Sequence, residues 1–217
     1  MRRASDALIV VGAMVLVTWH LRPDLFFIST ITTGGDTASH YYSAWWLRYE
    51  LLPAGHVTGW VPGNYAGFPL FQVYFPLPFL LMAGLSFVTG LPVAFKLVTV
   101  SGLIGLPLAA YAGFRLLRFA YPAPALAAAF TVPFLFHEAD SVWGANISST
   151  LAGEFTYSFG TALLLVFAAT LYRGAMSGRG WAGNGVLLAA IGLSHAYTLL
   201  AAGAFGAYLV LFHPEGR

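Results

Sequence analysis

The sequence predicts an all-α fold: a polytopic bundle of transmembrane helices with about six crossings and a long outer loop that carries interfacial helices. Apolar residues make up 59% of the 217-residue chain and charged residues only 8%, which leaves too little polar surface for a soluble domain of this size. The apolar residues fall into seven segments separated by Gly, Pro or charge, as expected for several membrane helices. We therefore treat residues 1–217 as a single membrane domain.

The first segment, roughly Ala7 to Leu21, follows a basic amino terminus and lacks the small-residue cleavage site of a signal peptide. It is therefore predicted to be a membrane helix, somewhat short for a 30 Å hydrocarbon core. The other segments run about Phe75 to Val88, Pro92 to Phe114, Ala120 to Phe136, Phe155 to Tyr172, Trp181 to Ser194 and Ala196 to Phe212.

Arginines near the ends of these segments predict the topology, because basic residues prefer the cytoplasmic side. If Phe75 to Val88 does not fully cross, all the arginine groups lie inside; seven crossings would put every group after the first outside. We therefore predict six crossings, cytoplasmic termini and a long extracytoplasmic loop at residues 22–91. The groups are Arg2 and Arg3, Arg115 and Arg118, Arg173 and Arg179, and Arg217.

Several classes of function are excluded by composition and by missing motifs. The formal net charge is +2, and the ten basic residues are too scattered to form a nucleic-acid footprint. There is no cysteine, hence no disulfide framework and no thiolate nucleophile or metal ligand. No Walker loop, Rossmann glycine pattern or H-E-x-x-H helix is present, so soluble nucleotide chemistry is not expected.

The long outer loop contains two distinct stretches. "HYYSAWWLRYELL" repeats Tyr and Trp at helical spacing, which predicts a helix in the headgroup region, where such rings are half wet. "GWVPGNYAGFPLFQVYFPLP" is dense in Gly, Pro and aromatic residues and is interpreted as a fixed irregular loop that lines a pocket. Trp60 and Tyr65 of that stretch are candidate substrate-binding residues.

"GGDTASHYYSAWWLRYELLPAG" and "GWVPGNYAGFPLFQVYFPLPFLL", after a short tail and one membrane helix, resemble the first outer loop of the type C glycosyltransferase (GT-C) superfamily. More specifically, they resemble the bacterial and archaeal membrane proteins of that superfamily that are often labelled 6-pyruvoyl-tetrahydropterin-synthase-related. "AAYAGFRLLRFAYPAPALAAAFTVPFLF" and "LAAIGLSHAYTLLAAGAFGAYLVL" fit the same pattern. The resemblance implies a helical enzyme that moves a sugar from a polyprenyl-phosphate carrier to an acceptor at the outer membrane face. It also implies an active-site acid in the first loop, which here is Asp36.

Asp36 and His40 lie one helical turn apart, so both can face one substrate. Asp36 can act as the base that takes the proton of an acceptor hydroxyl. Together the two side chains could hold a divalent ion, Mg, Mn or Ca, with water and substrate oxygens completing its shell. The alternative role for Asp36 is a helix N-cap after Gly34 and Gly35. The alternatives for His40 are a substrate-binding residue and a hydrogen-bonded polar residue of an interfacial helix.

Glu154 and His195 are the other candidates, as catalytic and substrate-binding residues respectively. Glu154 opens an apolar helix, where an acid suits the helix dipole. His195 interrupts an apolar run at the turn of a short hairpin, so this turn is expected below the outer surface. We expect both to line one outer cavity with Asp36, protonated His195 offsetting the charge of the carrier phosphate. The alternative for His195 is a ring bonded to neighbouring backbone.

The sequence therefore predicts a lipid-phosphate-sugar glycosyltransferase in the plasma membrane of a prokaryote. The alternatives are a transporter or channel subunit and a non-catalytic assembly partner. Enzymes of the resembled type usually continue with more helices, whereas this chain stops at "LFHPEGR". The chain is therefore expected to be such an enzyme or its amino-terminal core. The expected partners are the polyprenyl-phosphate sugar, membrane lipids, and a further subunit or a missing carboxy-terminal region.

Overall fold

A computed structural model describes residues 2–63, 66–139, 141, 142 and 144–212, without the side chains of Arg2 and Arg3. The described part is nearly all-α and has one small two-stranded sheet. Its helices are α1 (Arg2–His20), α2 (Thr37–Trp46), α3 (Pro76–Thr89), α4 (Leu91–Leu116), α5 (Ala123–Leu135), α6 (Ile147–Ser149), α7 (Phe155–Ser177), α8 (Trp181–Gly192) and α9 (Ala196–Phe212).

The seven predicted apolar segments are confirmed as helices. α9 has the predicted bounds, and α7 begins at the predicted Phe155 but continues to Ser177. It ends there because Gly178, at φ 65°, provides the left-handed residue that closes a helix. The first helix begins at Arg2 rather than Ala7, since the polar residues before the apolar run have no helix breaker among them.

α4 and α7 form the centre of the bundle and approach each other closely at glycine. A Cβ on Gly102 would lie 2.5 Å from the backbone nitrogen of Phe159, and one on Gly113 would lie 3.1 Å from the carbonyl oxygen of Leu165. Small residues allow this approach, as in other membrane helix pairs. α1 and α5 pack on α4, α3 packs on α4, and α8 and α9 pack on α7.

Within the described residues, two helices are long and apolar enough to cross a membrane. These are α4 and the kinked helix of residues Ile147–Ser177, whereas α1, α3, α5, α8 and α9 are shorter apolar helices. The first turn of α3 touches the connection between α8 and α9, since the Leu77 N–H donates to the Leu193 carbonyl oxygen at 3.0 Å. The far end of α3 leads through Gly90 directly into the start of α4.

The long loop after α1, which we call the first outer loop after its predicted side of the membrane, is more ordered than the sequence predicts. The predicted helix is confirmed as α2, continued by a π-helical turn at Leu47–Leu51. The stretch interpreted as irregular instead forms an antiparallel hairpin of β1 (Gly59–Val61) and β2 (Phe68–Leu70). The interpretation was thus wrong for these two strands, because strands of three residues are too short for an alternating pattern to stand out. Val61 and Leu70 are buried in a core shared with α2 and α3.

A buried lysine holds the beginning of this loop on α4. Lys96 is 4% exposed, and its Nζ donates to the carbonyl oxygens of Leu25 at 2.5 Å and Ile28 at 2.7 Å. A charged donor with little access to water needs such acceptors. Lys96 therefore joins residues far apart in the sequence and fixes where the loop leaves α1.

The second loop that is predicted to lie outside, from His137 to Glu154, ends earlier than expected. α6 and a π-helical turn at Thr150–Glu154 occupy its last part. The Asn146 side chain caps this segment by accepting the N–H of Ser149 at 2.8 Å. Gly153, at φ 129° and ψ −14°, breaks the helix just before Glu154, a backbone conformation that favours glycine.

Candidate functional site

Asp36 lies at the start of α2 and is tied by its backbone to the kink before α7. Its N–H donates to the carbonyl oxygen of Ala152 at 2.8 Å, while its side chain makes no capping hydrogen bond. Gly35 permits this contact, because a Cβ there would overlap the Ala152 carbonyl. The Asp36 residue is exposed, so the N-cap alternative lacks its hydrogen bond and the carboxylate can reach a ligand.

Gly153 lies directly against Asp36 and His40. A Cβ on Gly153 would lie 3.1 Å from the Cβ of Asp36 and 3.3 Å from the Cδ2 of His40. The absence of a side chain thus lets the kink approach the first turn of α2. Glu154 is the next residue, so the kink brings a second acid beside the first.

His40 is enclosed by aromatic rings. Its ring stacks on Tyr74 with centroids 5.4 Å apart and meets Phe155 edge-on at 5.4 Å. Its Nε2 is 3.4 Å from the hydroxyl oxygen of Tyr74. Burial lowers the pKa of His40 to about 4, and the Asp36 carboxylate offsets this only in part. The ring is therefore neutral near pH 7.

Glu154 and His195 meet across the bundle. The Oε2 of Glu154 is 3.8 Å from the Nε2 of His195, which is 8% exposed between α8 and α9. The Nδ1 of His195 accepts the N–H of Tyr197 at 3.2 Å, which assigns the proton of the neutral ring to Nε2, toward Glu154. Burial lowers the pKa of His195. Burial therefore disfavours the protonated form of His195 that the sequence predicts.

Tyr74 connects the two halves of the site and was not singled out from the sequence. Burial, with smaller contributions from the carboxylates of Glu154 and Asp36, raises the pKa of its hydroxyl to about 12, although a hydrogen bond with Thr156 opposes the shift. The hydroxyl thus stays protonated and can donate a hydrogen bond. In the sequence, Tyr74 is one of several aromatic residues in "FQVYFPLP", and nothing there distinguishes it from its neighbours.

Together, Asp36, His40, Tyr74, Glu154 and His195 form what we call the carboxylate cluster. It combines an exposed acid, a half-buried acid whose side chain is 35% exposed, two neutral imidazoles and a phenol. Such a set can accept a proton from a hydroxyl and donate hydrogen bonds to an oxyanion. Across the described residues, no three His, Asp or Glu side chains are grouped so that they could hold a metal ion. The pair Asp36 and His40 therefore offers a metal at most two protein ligands.

The remaining candidate residues are not part of this cluster. Trp60 lies on β1 and is 60% exposed, and a Cβ on Gly67 would lie 2.6 Å from its Nε1. Its role in substrate binding stays a prediction. Tyr65 lies outside the described residues.

The burial of His40 predicts a dependence of stability on pH. In the unfolded chain its pKa is near 6.5, and in the folded protein it is about 4. Below pH 6.5 the unfolded state takes up a proton that the folded state excludes until pH 4. The free energy of unfolding should therefore fall by about 2–3 kcal/mol as pH drops through this window. Replacing His40 by Phe, which keeps an aromatic ring, should remove this contribution in detergent unfolding curves.

The control for this prediction is His56→Phe. His56 belongs to the same outer loop but is exposed, so its replacement should leave the pH dependence as in the wild type. A His40→Phe variant that keeps the full wild-type dependence would show that His40 is not the group responsible.

Comparison with known protein families finds one family whose model matches the chain. The chain matches, over residues 71–215, the model of a family described as "6-pyruvoyl-tetrahydropterin synthase related domain; membrane protein". No glycosyltransferase family of type C matches, so the assignment to the GT-C superfamily is wrong, whereas the narrower family label agrees with the match. The resemblance rested on an acid after the first helix and on Gly, Pro and aromatic spacing, which different membrane proteins share. No curated protein and no solved structure shows significant similarity to the chain.

Proposed function

We propose that this chain, which belongs to the family of membrane proteins with a 6-pyruvoyl-tetrahydropterin synthase related domain, transfers a sugar. The sugar passes from a polyprenyl-phosphate carrier to an acceptor. The transfer takes place at the outer membrane face. The observation that carries the proposal is the carboxylate cluster, in which Asp36 lies near His40, Glu154 faces His195, and Gly153 brings the two pairs together. Grouping of titratable side chains with shifted pKa values is a common property of catalytic sites.

Four members of the cluster have a direct role in the proposed transfer. The acceptor oxygen bonds to the anomeric carbon as its O–H proton passes to the Asp36 carboxylate. The bond from that carbon to the phosphate oxygen breaks, and its electron pair leaves with the phosphate. His195 Nε2–H and the Tyr74 hydroxyl donate to the phosphate oxygens, where negative charge builds up. Glu154 orients the His195 ring and accepts hydrogen bonds from acceptor hydroxyls.

The topology that suits this proposal has six crossings, made by α1, α4, α5, α7, α8 and α9. α3 is then held at the outer side, which is supported by the bond from Leu77 to Leu193 and by its direct passage into α4. The cluster lies near the outer ends of α4 and α7. Arg118 and Arg179 lie at the opposite ends, in agreement with the preference of arginine for the cytoplasm.

Cysteine labelling in intact cells tests this topology. The chain has no native cysteine, so single replacements at Arg118 and Gly178 can be read directly. Both should resist a membrane-impermeant thiol reagent, while a cysteine at Ala139 should react. Labelling at position 118 from outside the cell would rule out six crossings.

The proposed substrate class is tested by mass spectrometry of lipids that copurify with the protein. We expect polyprenyl phosphate or its sugar ester with the wild type, and less of it with His195→Phe, which removes the proposed phosphate donor. His56→Phe is the control, since His56 is exposed on the outer loop. Copurification of a soluble solute in place of a polyprenyl lipid would favour the transporter alternative and overturn the proposal.

A further inference from the structure

We propose a second binding site, for an anionic phospholipid, at the end of the bundle opposite to the carboxylate cluster. The site joins an arginine-lined pocket, which would take the headgroup phosphate, to an apolar groove, which would take an acyl chain. None of its residues belongs to the carboxylate cluster, so it goes beyond the proposed sugar transfer and can be tested apart from it.

Three arginines from separate parts of the chain line one pocket of about 750 Å³. Arg118 follows α4, Arg173 lies in the last turns of α7, and Arg179 lies between α7 and α8. In the part of the chain that the structure describes, no carboxylate is within ion-pairing distance of any of them. Their charges are thus available to a phosphate, whose oxygens match the planar guanidinium group.

A buried amide in the same pocket points independently to a ligand. Asn184 lines the pocket and is 5% exposed. Its Nδ2 donates to the carbonyl oxygen of Thr170 at 3.3 Å, but its Oδ1 has no hydrogen-bond partner among the described residues. A buried acceptor without a partner is costly. A headgroup hydroxyl could donate to this oxygen, and phosphatidylglycerol carries both a phosphate and such hydroxyls.

An apolar groove of about 700 Å³ between α4, α5 and α7 continues from the arginines along the bundle. Leu117 lines this groove and also a smaller pocket that includes Arg118 and Arg173. Phe130 and Leu165 are groove residues further along the helices. The continuity of charge and apolar surface favours a lipid over a soluble phosphate, because an acyl chain fills the groove while the phosphate reaches the arginines.

Native mass spectrometry of the protein in detergent, with added phosphatidylglycerol, phosphatidylcholine or inorganic phosphate, tests the headgroup pocket. We expect phosphatidylglycerol to bind at least about tenfold more tightly than phosphatidylcholine. The double variant Arg118→Gln/Arg173→Gln should bind phosphatidylglycerol about tenfold or more weakly than the wild type. The control is Arg22→Gln/Arg115→Gln, which removes the same charge from residues that do not line these pockets. Its affinity for phosphatidylglycerol should stay within about twofold of the wild type. Equal binding of the two lipids, or an equal loss in both double variants, would overturn the proposal.

The groove is tested with Ala168→Phe, since Ala168 lines it and a ring there would displace an acyl chain. Ala168→Phe should no longer retain phosphatidylglycerol. Ala204→Phe, at an exposed position of α9, should retain this lipid as the wild type does. Melting temperatures confirm that each variant is folded. If inorganic phosphate raises the melting temperature as much as phosphatidylglycerol does, or if Ala168→Phe retains the lipid, the site binds a free anion and the lipid proposal is wrong.

Discussion

Asp36→Asn should reduce sugar transfer by about 10²–10⁴-fold, the usual contribution of a positioned proton acceptor. The amide has nearly the same shape but cannot take a proton from the acceptor hydroxyl. Because the Asp36 side chain makes no capping hydrogen bond, the variant should unfold at the same denaturant concentration as the wild type. Both quantities can be measured on one preparation, by turnover of a polyprenyl-phosphate sugar and by unfolding in detergent.

Asp24→Asn is the matched control. Asp24 belongs to the same outer loop and is exposed, but it pairs with Arg22 at 2.8 Å instead of joining the carboxylate cluster. Its replacement should leave turnover within about twofold, because an exposed ion pair contributes little. Near-normal turnover in folded Asp36→Asn would remove Asp36 from the chemistry.

Gly153→Ala should both destabilise the protein and disable the carboxylate cluster. At φ 129° an alanine is strained, which costs about 1–3 kcal/mol. The new methyl group would press on Asp36 and His40, which lie 3.1 and 3.3 Å from its position. A displacement of about 1 Å at a reacting group can reduce turnover by about 10²-fold, so the loss of activity should persist under conditions in which the variant is folded.

Gly84→Ala is the control for this substitution. Gly84 lies within α3 and has no heavy atom within 4 Å of the added Cβ, so alanine there should be neutral or slightly stabilising. A Gly153→Ala variant with wild-type stability would mean that the kink relaxes without strain and that its glycine is not needed.

The helices could be predicted from the sequence because apolar runs bounded by Gly, Pro and charge are long and continuous. The start of α7 at Phe155 and the bounds of α9 agree with the prediction. The β1–β2 hairpin could not be predicted, since its strands span three residues each. The role of Lys96 could not be predicted either, because a single lysine in an apolar run does not indicate that its partners are Leu25 and Ile28.

Only the acids and histidines of the candidate site could be predicted from the sequence. Asp36, Glu154 and His195 stand out because ionisable residues are rare in this chain, and the order of crossings suggests that they lie at one end of the bundle. Tyr74 could not be recognised, because its position depends on the approach of the outer loop to the kink at Gly153. The neutral state of His195 also depends on the depth of its burial, which the sequence does not give.

The most direct test of the proposed sugar transfer is photo-crosslinking of the protein in liposomes with a polyprenyl-phosphate sugar that carries a diazirine next to the phosphate. The labelled peptides can be mapped by mass spectrometry. We predict label on the segments around Asp36, Glu154 and His195, with competition by the unmodified carrier and loss of label in His195→Phe. Label confined to the arginine pocket around Arg118 and Arg173, or no label that the carrier displaces, would contradict an active site at the carboxylate cluster.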